Sequence, residues 1–116
     1  MVELSPGRQF RDALSSERPL QIAGAINAYS AMQAERAGFK ALYLSGAGVA
    51  NASCGLPDLG ATNLNDVLQD ASRMTTACAL PLLVDIDTGW GNELCIQRAI
   101  RELERAGVAG VHMEDQ

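Results

Sequence analysis

The stretch Pro-Leu-Leu-Val-Asp-Ile-Asp-Thr-Gly, residues 81–89, decides the fold class of this chain. Its apolar run from Leu82 to Val84 has no polar alternation, which is typical of a strand buried on both faces of a parallel sheet. Two aspartates follow the run, and Gly89 then interrupts the extended chain. The stretch therefore predicts a buried parallel strand with acidic side chains at its carboxyl end.

The two aspartates, Asp85 and Asp87, predict a metal site. In a strand, side chains two residues apart point to the same side, so both carboxylates would share one face. Like charges this close repel each other unless a cation lies between them. Mg2+ prefers one or two carboxylates together with water and substrate oxygens. The spacing favours a magnesium site over the alternative, an acidic turn exposed to solvent.

The composition limits the classes of function. The chain has 116 residues, 47% of them hydrophobic, and a net charge of −5, which describes an ordinary soluble globular chain with an acidic balance. That balance argues against a nucleic-acid partner, and no apolar segment approaches the ~18 residues that a membrane span requires. The three cysteines show no C-x-x-C spacing, so neither a disulfide framework nor a zinc site is predicted. We expect a protein of the reducing cytoplasm.

Strand and helix patterns alternate along the chain. Predicted strands cover residues 19–25, 40–44, 82–84 and 110–113, and predicted helices cover residues 6–13, 29–37, 64–79 and the segment between Asn92 and Gly107. Residues 49–62 contain two glycines and a proline and show no helical period, so we expect a long functional loop there. This alternation predicts the βαβ class with right-handed crossovers.

An internal repeat indicates which residues meet. Residues 35–45 resemble residues 104–114: each begins Glu-Arg-Ala-Gly and continues as a strand that leads to a polar residue, Ser45 or Glu114. In the two architectures that fit, a doubly wound sheet and a (β/α)8 barrel, ligands bind at the carboxyl ends of the strands. The polar residues expected at these ends are Asn27, Ser45, Asp85, Asp87, His112 and Glu114. Contributions from four different strand ends favour the barrel.

The glycine-rich turn after the second strand has several interpretations. Residues 46–51 read G-x-G-x-x-N, one glycine short of the dinucleotide fingerprint, and they lead into the long loop. We therefore favour close approach of backbone N–H groups to a substrate carboxylate, with Ser45 adding a hydroxyl. A simple tight turn is the alternative. The sequence does not decide whether His112 is a core residue or a functional one, although its spacing to Glu114 places both on one strand face.

Four motifs occur in a fixed order along the chain. They are Tyr-Leu-Ser-Gly-Ala-Gly-Val-Ala at residues 43–50, Gly-Leu-Pro-Asp-Leu-Gly at residues 55–60, Leu-Val-Asp-Ile-Asp-Thr-Gly at residues 83–89 and His-Met-Glu-Asp-Gln at residues 112–116. Together they resemble the isocitrate lyase/phosphoenolpyruvate mutase superfamily. The first two motifs are most similar to the lyases that cleave 2-methylisocitrate to pyruvate and succinate in propionate breakdown, the methylcitrate cycle.

The resemblance implies a TIM-type (β/α)8 barrel, of which residues 1–116 supply about the first four strands as the amino-terminal half of one domain. It implies a cytoplasmic enzyme that is a homotetramer, as in the family, with Mg2+ as its cofactor and no nucleic-acid or membrane partner. The implied site residues are Asp85 and Asp87 for the metal, Ser45, Gly46 and Ala47 for the substrate, and Asp58, His112 and Glu114 for catalysis, with Glu114 linked to the ion directly or through water.

The resemblance also implies what residues 1–116 would lack. In the family, the acid that protonates the departing carbanion is a cysteine in a K-R-C-G-H motif just after the fourth strand, which would follow Gln116. Cys54, Cys78 and Cys95 do not occupy that position. Residues 1–116 alone are therefore expected to show no turnover. The alternatives are another enzyme of the superfamily, either a phosphonomutase or an oxaloacetate-acting hydrolase or decarboxylase, and a non-catalytic half-barrel.

Overall fold

The computed structural model describes residues 3–116, so the first two residues of the expected 1–116 domain lie outside the described residues. The strands are β1 (Ala23–Gly24), β2 (Leu42–Leu44), β3 (Leu82–Asp85) and β4 (Gly110–His112). The helices are α1 (Pro6–Ser16), α2 (Ala28–Arg36), α3 (Gly46–Gly48), α4 (Leu64–Ala77) and α5 (Glu93–Arg105), and a π-helical turn covers Val49–Ser53. None of the helices within residues 3–116 is long and apolar enough to cross a membrane.

The strands of the described region form one parallel sheet in the order β1-β2-β3-β4. Neighbours in the sheet are therefore neighbours in the sequence, as in the wall of a (β/α)8 barrel. A doubly wound sheet instead reverses its strand order at a switch point. The predicted α/β class is confirmed, and the strand order is the one that the barrel requires.

The first strand is shorter than predicted. Residues 19–25 were expected to be extended, whereas β1 contains only Ala23 and Gly24. The ladder is limited by its partner, because β2 begins at Leu42. The amides of Ala23 and Ala25 donate to the carbonyls of Ala41 and Tyr43 at 3.1 and 3.0 Å, and residues 19–22 precede the paired segment.

The glycine-rich turn differs most from the sequence-based expectation. Instead of entering a loop, the chain after β2 forms α3 and then the π-helical turn. Ser45 caps α3 by accepting a hydrogen bond from the Ala47 amide at 3.2 Å, and Gly48 has right-handed helical angles of φ −62° and ψ −41°. Val49 and Ala50 are buried, so packing stabilises a helical path that glycine propensity alone disfavours. The loop itself is limited to residues 54–62.

The two faces of the sheet have different surroundings. One face is buried under the helices, and its core side chains include Leu42, Leu44, Leu82, Val84 and Ile86, each at most 1% exposed. The other face is more open, and the register places Tyr43 beside Leu83 and Asp85 beside His112 there. The more open face is the one that leads to the polar strand ends.

Candidate active site

The ends of β2, β3 and β4 bring polar side chains together at one edge of the sheet. Asp85 of β3 pairs in register with His112 of β4, and Ser45 follows the last residue of β2. One oxygen of Asp85, one ring nitrogen of His112 and one carboxylate oxygen of Glu114 lie within 4.8 Å of one another. The spacing that placed His112 and Glu114 on one side of the fourth strand thus corresponds to a real cluster.

Asp85 is held by backbone amides. Its Oδ2 accepts a hydrogen bond from the Gly46 amide at 3.2 Å, and its Oδ1 accepts one from the Asp87 amide at 3.0 Å. The half-buried carboxylate therefore joins the start of α3 to the turn after β3. These two bonds fix its orientation before any ligand is present.

Asp87 reaches the site by a different route from the predicted one. The two aspartates were expected to share the face of a strand, but β3 ends at Asp85 and Asp87 has a left-handed φ of +49°. Ile86 is still fully buried and its amide still donates to the His112 carbonyl at 3.0 Å, so the chain leaves the strand direction only after Ile86. The carboxylates still converge, since a Cβ built on Gly46 would lie 3.3 Å from Asp85 Oδ2 and 3.4 Å from Asp87 Oδ1.

The turn at residues 87–91 contains several left-handed residues. Besides Asp87, Trp90 has a φ of +61°, and Gly89 and Gly91 have φ values of +93° and +147°. Non-glycine residues adopt such angles at a cost, and they concentrate where the surrounding structure requires one conformation. A hydrogen bond of 2.8 Å from the Gly89 amide to the Ile86 carbonyl closes the turn and holds the Asp87 side chain near Gly46.

The acidic side chains at the site repel one another. Burial raises the pKa of Asp87, and the nearby charges of Asp85, Asp58 and Glu114 raise it further, in that order. The ion pairs found within residues 3–116 join Arg8 to Asp12, Arg73 to Asp70 and Arg105 to Glu102. None of these pairs offsets the four carboxylates, so a divalent cation with a preference for oxygen ligands fits this donor set.

Asp58 belongs to the loop of residues 54–62 and is exposed. Its charge acts on Asp87, so the loop brings this residue to the neighbourhood of the other carboxylates. It is not one of the three residues whose ligand atoms cluster within 4.8 Å. Asp58 therefore lies at the rim of the site, and it is the one acidic residue of the loop of residues 54–62.

Tyr43 is a site residue that sequence reasoning assigned no role. Its hydroxyl lies 3.2 Å from Nδ1 of His112. Burial raises the pKa of Tyr43, and the charges of Asp85, Glu114 and Asp87 raise it further. An aromatic residue in a strand is usually interpreted as core, but its spacing of two from Ser45 was a signal that both point to the same side.

The turn residues predicted to bind a substrate carboxylate are already engaged with the protein. The Gly46 amide donates to Asp85, and the Ala47 amide donates to the Ser45 hydroxyl. Ligand binding at Ala47 would therefore displace the serine hydroxyl. Asn27, the remaining predicted strand-end residue, caps α2 by accepting from the Ser30 amide at 2.8 Å, which is a structural role.

The chain is similar in sequence to known proteins. The sequence model of the family described as phosphoenolpyruvate phosphomutase matches residues 10–116. The 2-methylisocitrate lyase of Shewanella oneidensis is 66% identical over 112 residues, which is 97% of this chain and 38% of the relative. The chain thus spans well under half the length of that relative.

Solved structures extend the comparison to the fold. Oxaloacetate acetylhydrolase superimposes with a TM-score of 0.88 at 35% identity, over 97% of this chain and 40% of that structure. A phosphonopyruvate hydrolase in complex with oxalate and Mg2+ superimposes with a TM-score of 0.80 at 29% identity, again over 97% and 40%. The fold of residues 3–116 is therefore that of the corresponding part of these enzymes.

Proposed function

The chain belongs to the phosphoenolpyruvate phosphomutase family, and on that premise we propose that residues 1–116 are the amino-terminal half of a Mg2+-dependent carbon–carbon lyase that cleaves 2-methylisocitrate to pyruvate and succinate. The observation that carries the proposal is the convergence of Asp85, His112 and Glu114 at neighbouring strand ends. The 66% identity to a 2-methylisocitrate lyase supports the choice of substrate. The rest of the barrel, and the acid that the reaction needs, would come from outside these residues.

The carboxylates are proposed to hold the metal. Asp85 and Asp87 would bind Mg2+, and Glu114 would contact it directly or through water. When bound, the ion supplies positive charge that stabilises the negative charge developing on the forming 2-oxo acid. The oxygen-rich donor set supports Mg2+ over metals that prefer thiolate or imidazole ligands.

Other side chains would orient the substrate and move its protons. Cleavage of a carbon–carbon bond beside a hydroxyl requires a base for the hydroxyl proton and an acid for the new carbanion. We assign the base to His112, whose ring is oriented by Tyr43 at 3.2 Å. Ser45, Gly46 and Ala47 would bind a substrate carboxylate, and Asp58 would approach the substrate from the loop.

Lys40 is not placed to form a Schiff base with a substrate at the carboxyl ends of the strands. Lys40 is the one lysine of the sequence and precedes β2, which begins at Leu42. It therefore lies at the amino end of the strand, away from the carboxyl ends where the acidic residues meet. A lysine at that end could not reach a substrate bound beside Asp85.

An oxaloacetate-acting hydrolase is the second candidate function. It is favoured by the TM-score of 0.88 to oxaloacetate acetylhydrolase, although the identity to that enzyme is only 35%. Both candidates imply a small-molecule substrate, and we propose a cytoplasmic homo-oligomer, a tetramer as in the family, for either.

A substrate comparison distinguishes the two candidates. The full-length protein that carries this chain should release pyruvate from 2-methylisocitrate only when Mg2+ is present, and should hydrolyse oxaloacetate far more slowly. Asp85→Ala should abolish the reaction and weaken Mg2+ binding in calorimetry, while Asp12→Ala, which removes a remote exposed carboxylate, should change neither. Faster turnover of oxaloacetate would select the hydrolase, and unchanged Mg2+ affinity in Asp85→Ala would overturn the metal assignment.

A further inference from the structure

The loop of residues 54–62 is attached to α4 at both of its ends. Where the loop begins, the Ser53 hydroxyl donates a hydrogen bond of 2.5 Å to Oδ2 of Asp70, a residue of α4. Where it ends, Asn63 caps the same helix and accepts from the amides of Asn65 and Asp66 at 2.9 and 3.3 Å. One helix therefore fixes both ends of the segment that carries Asp58.

Asp70 is an unusual partner for a serine on a surface turn. It is 6% exposed, and a buried carboxylate is costly unless it is well hydrogen-bonded. The nearest cation, Arg73, has its Nη1 3.9 Å from Oδ1 of Asp70, and the arginine side chain is 63% exposed. The much shorter bond from Ser53 is thus the main compensation that the described structure provides for this charge.

The π-helical turn connects the bond between Ser53 and Asp70 to the loop. The Cys54 amide donates to the Val49 carbonyl at 3.2 Å, and the Leu56 amide donates to the Ala50 carbonyl at 2.8 Å. Val49 and Ala50 are 0% and 2% exposed, so one side of the turn is fixed in the core. The bond between Ser53 and Asp70 fixes the other side, and together they set the direction in which the loop leaves.

We propose that Asp70 is a positioning residue which, through Ser53, fixes the start of the 54–62 loop and thereby holds Asp58 beside the carboxylate cluster. Asp70 itself lies on the helix side of this loop and acts only through it. The consequence for catalysis rests on the proposed lyase function, whereas the consequence for loop order does not. Two separate measurements therefore test the inference.

Amide hydrogen exchange tests the attachment without reference to activity. Ser53→Ala and Asp70→Ala should each accelerate exchange at the Cys54 and Leu56 amides about tenfold, because a hydrogen bond to a charged group is lost. Ser53→Thr, which keeps a hydroxyl, should restore slow exchange, and Arg73→Gln should match the wild type. If Asp70→Ala does not fold, the Ser53 variants decide alone. Unchanged exchange in Ser53→Ala would overturn the proposal.

Kinetics of the full-length enzyme test whether the attachment acts through Asp58. Ser53→Ala should lower kcat about tenfold with little change in KM, because the loop is misplaced and the bound substrate is less well oriented. In an Asp58→Ala background, Ser53→Ala should have no further effect on kcat. If the two substitutions instead lower kcat by factors that multiply in the double variant, a role through Asp58 is refuted. Absence of lyase activity in the wild type would refute the proposed function and leave the exchange result standing.

Discussion

Gly46→Ala tests whether the two aspartates form one metal site. The added methyl carbon would lie 3.3 Å from Asp85 Oδ2 and 3.4 and 3.7 Å from the two oxygens of Asp87. The backbone at Gly46 is not left-handed, so alanine brings no conformational strain there. Alanine is instead favoured over glycine in a helix by roughly 0.5–1 kcal/mol. The substitution therefore leaves the fold intact and acts on the carboxylates.

The expected loss follows from the contacts that the methyl group disturbs. To make room, the Asp85 carboxylate must move away from the Gly46 amide, which now donates to it at 3.2 Å. A hydrogen bond to a charged group is worth about 1.5–3 kcal/mol, so Mg2+ affinity should fall roughly 10- to 100-fold. The melting temperature of the metal-free protein should change little.

Calorimetric titration with Mg2+ measures this loss, and Gly48→Ala is the matched control. Gly48 belongs to the same short helix, but its added methyl would meet Ile26 Cγ2 at 3.2 Å and Ser45 Cβ at 3.9 Å, away from the carboxylates. Gly48→Ala should therefore bind Mg2+ like the wild type. Equal Mg2+ affinities for the two variants would refute the reasoning.

Three further predictions concern pH, the turn and the isolated chain. The raised pKa of Asp87 means that this carboxyl binds its proton more tightly in the folded state than in the unfolded state. The stability that Asp87 contributes is therefore present below its ordinary pKa and is lost as pH rises. Asp87→Asn should therefore raise the melting temperature of the metal-free protein at about pH 7 and leave it unchanged at about pH 3; equal shifts at both pH values would contradict this. Gly89→Ala should lower the unfolding free energy by at least about 2 kcal/mol in denaturant titrations, because the added Cβ would overlap Ile96 and the backbone φ is +93°. Gly24→Ala is the control and should be nearly neutral, because its added Cβ meets open space. Residues 1–116 expressed alone should self-associate and bind a hydrophobic dye, because one face of the sheet is left partly open; light scattering that finds a dye-negative, cooperatively melting monomer would count against a half-barrel.

The order of elements and the meeting of polar strand ends could be predicted because local chemistry determines them. Asn63 caps α4 within its own turn, and Gly38 and Gly107 follow helix ends with left-handed φ values of +97° and +86°. These signals depend on neighbours in the sequence. Parallel pairing then places successive strand ends side by side, so His112 could be related to Asp85 without coordinates.

The path of the chain through the site could not be predicted, because distant packing decides it. Gly46 and Gly48 are helical because Val49 behind them is buried, and propensity alone favours a turn. Asp87 has a left-handed φ although Ile86 before it keeps the buried alternation of the strand, and the Asp87 carbonyl accepts a hydrogen bond from the Glu114 amide at 2.7 Å. Both outcomes involve contacts with distant parts of the chain, which a periodicity argument does not include.

The unusual backbone of the turn after β3 has a spectroscopic consequence. Trp90 is the single tryptophan of the sequence, and it lies three residues after Asp87 in that turn. Its indole nitrogen is buried, and no hydrogen-bond partner for it occurs among residues 3–116. Within residues 1–116, tryptophan emission therefore comes from the turn alone, and it should shift when the turn opens and water reaches the indole. Residues 1–116 thus carry a fluorescent reporter in the same turn as Asp87, and stopped-flow mixing with Mg2+ can follow that turn without any label.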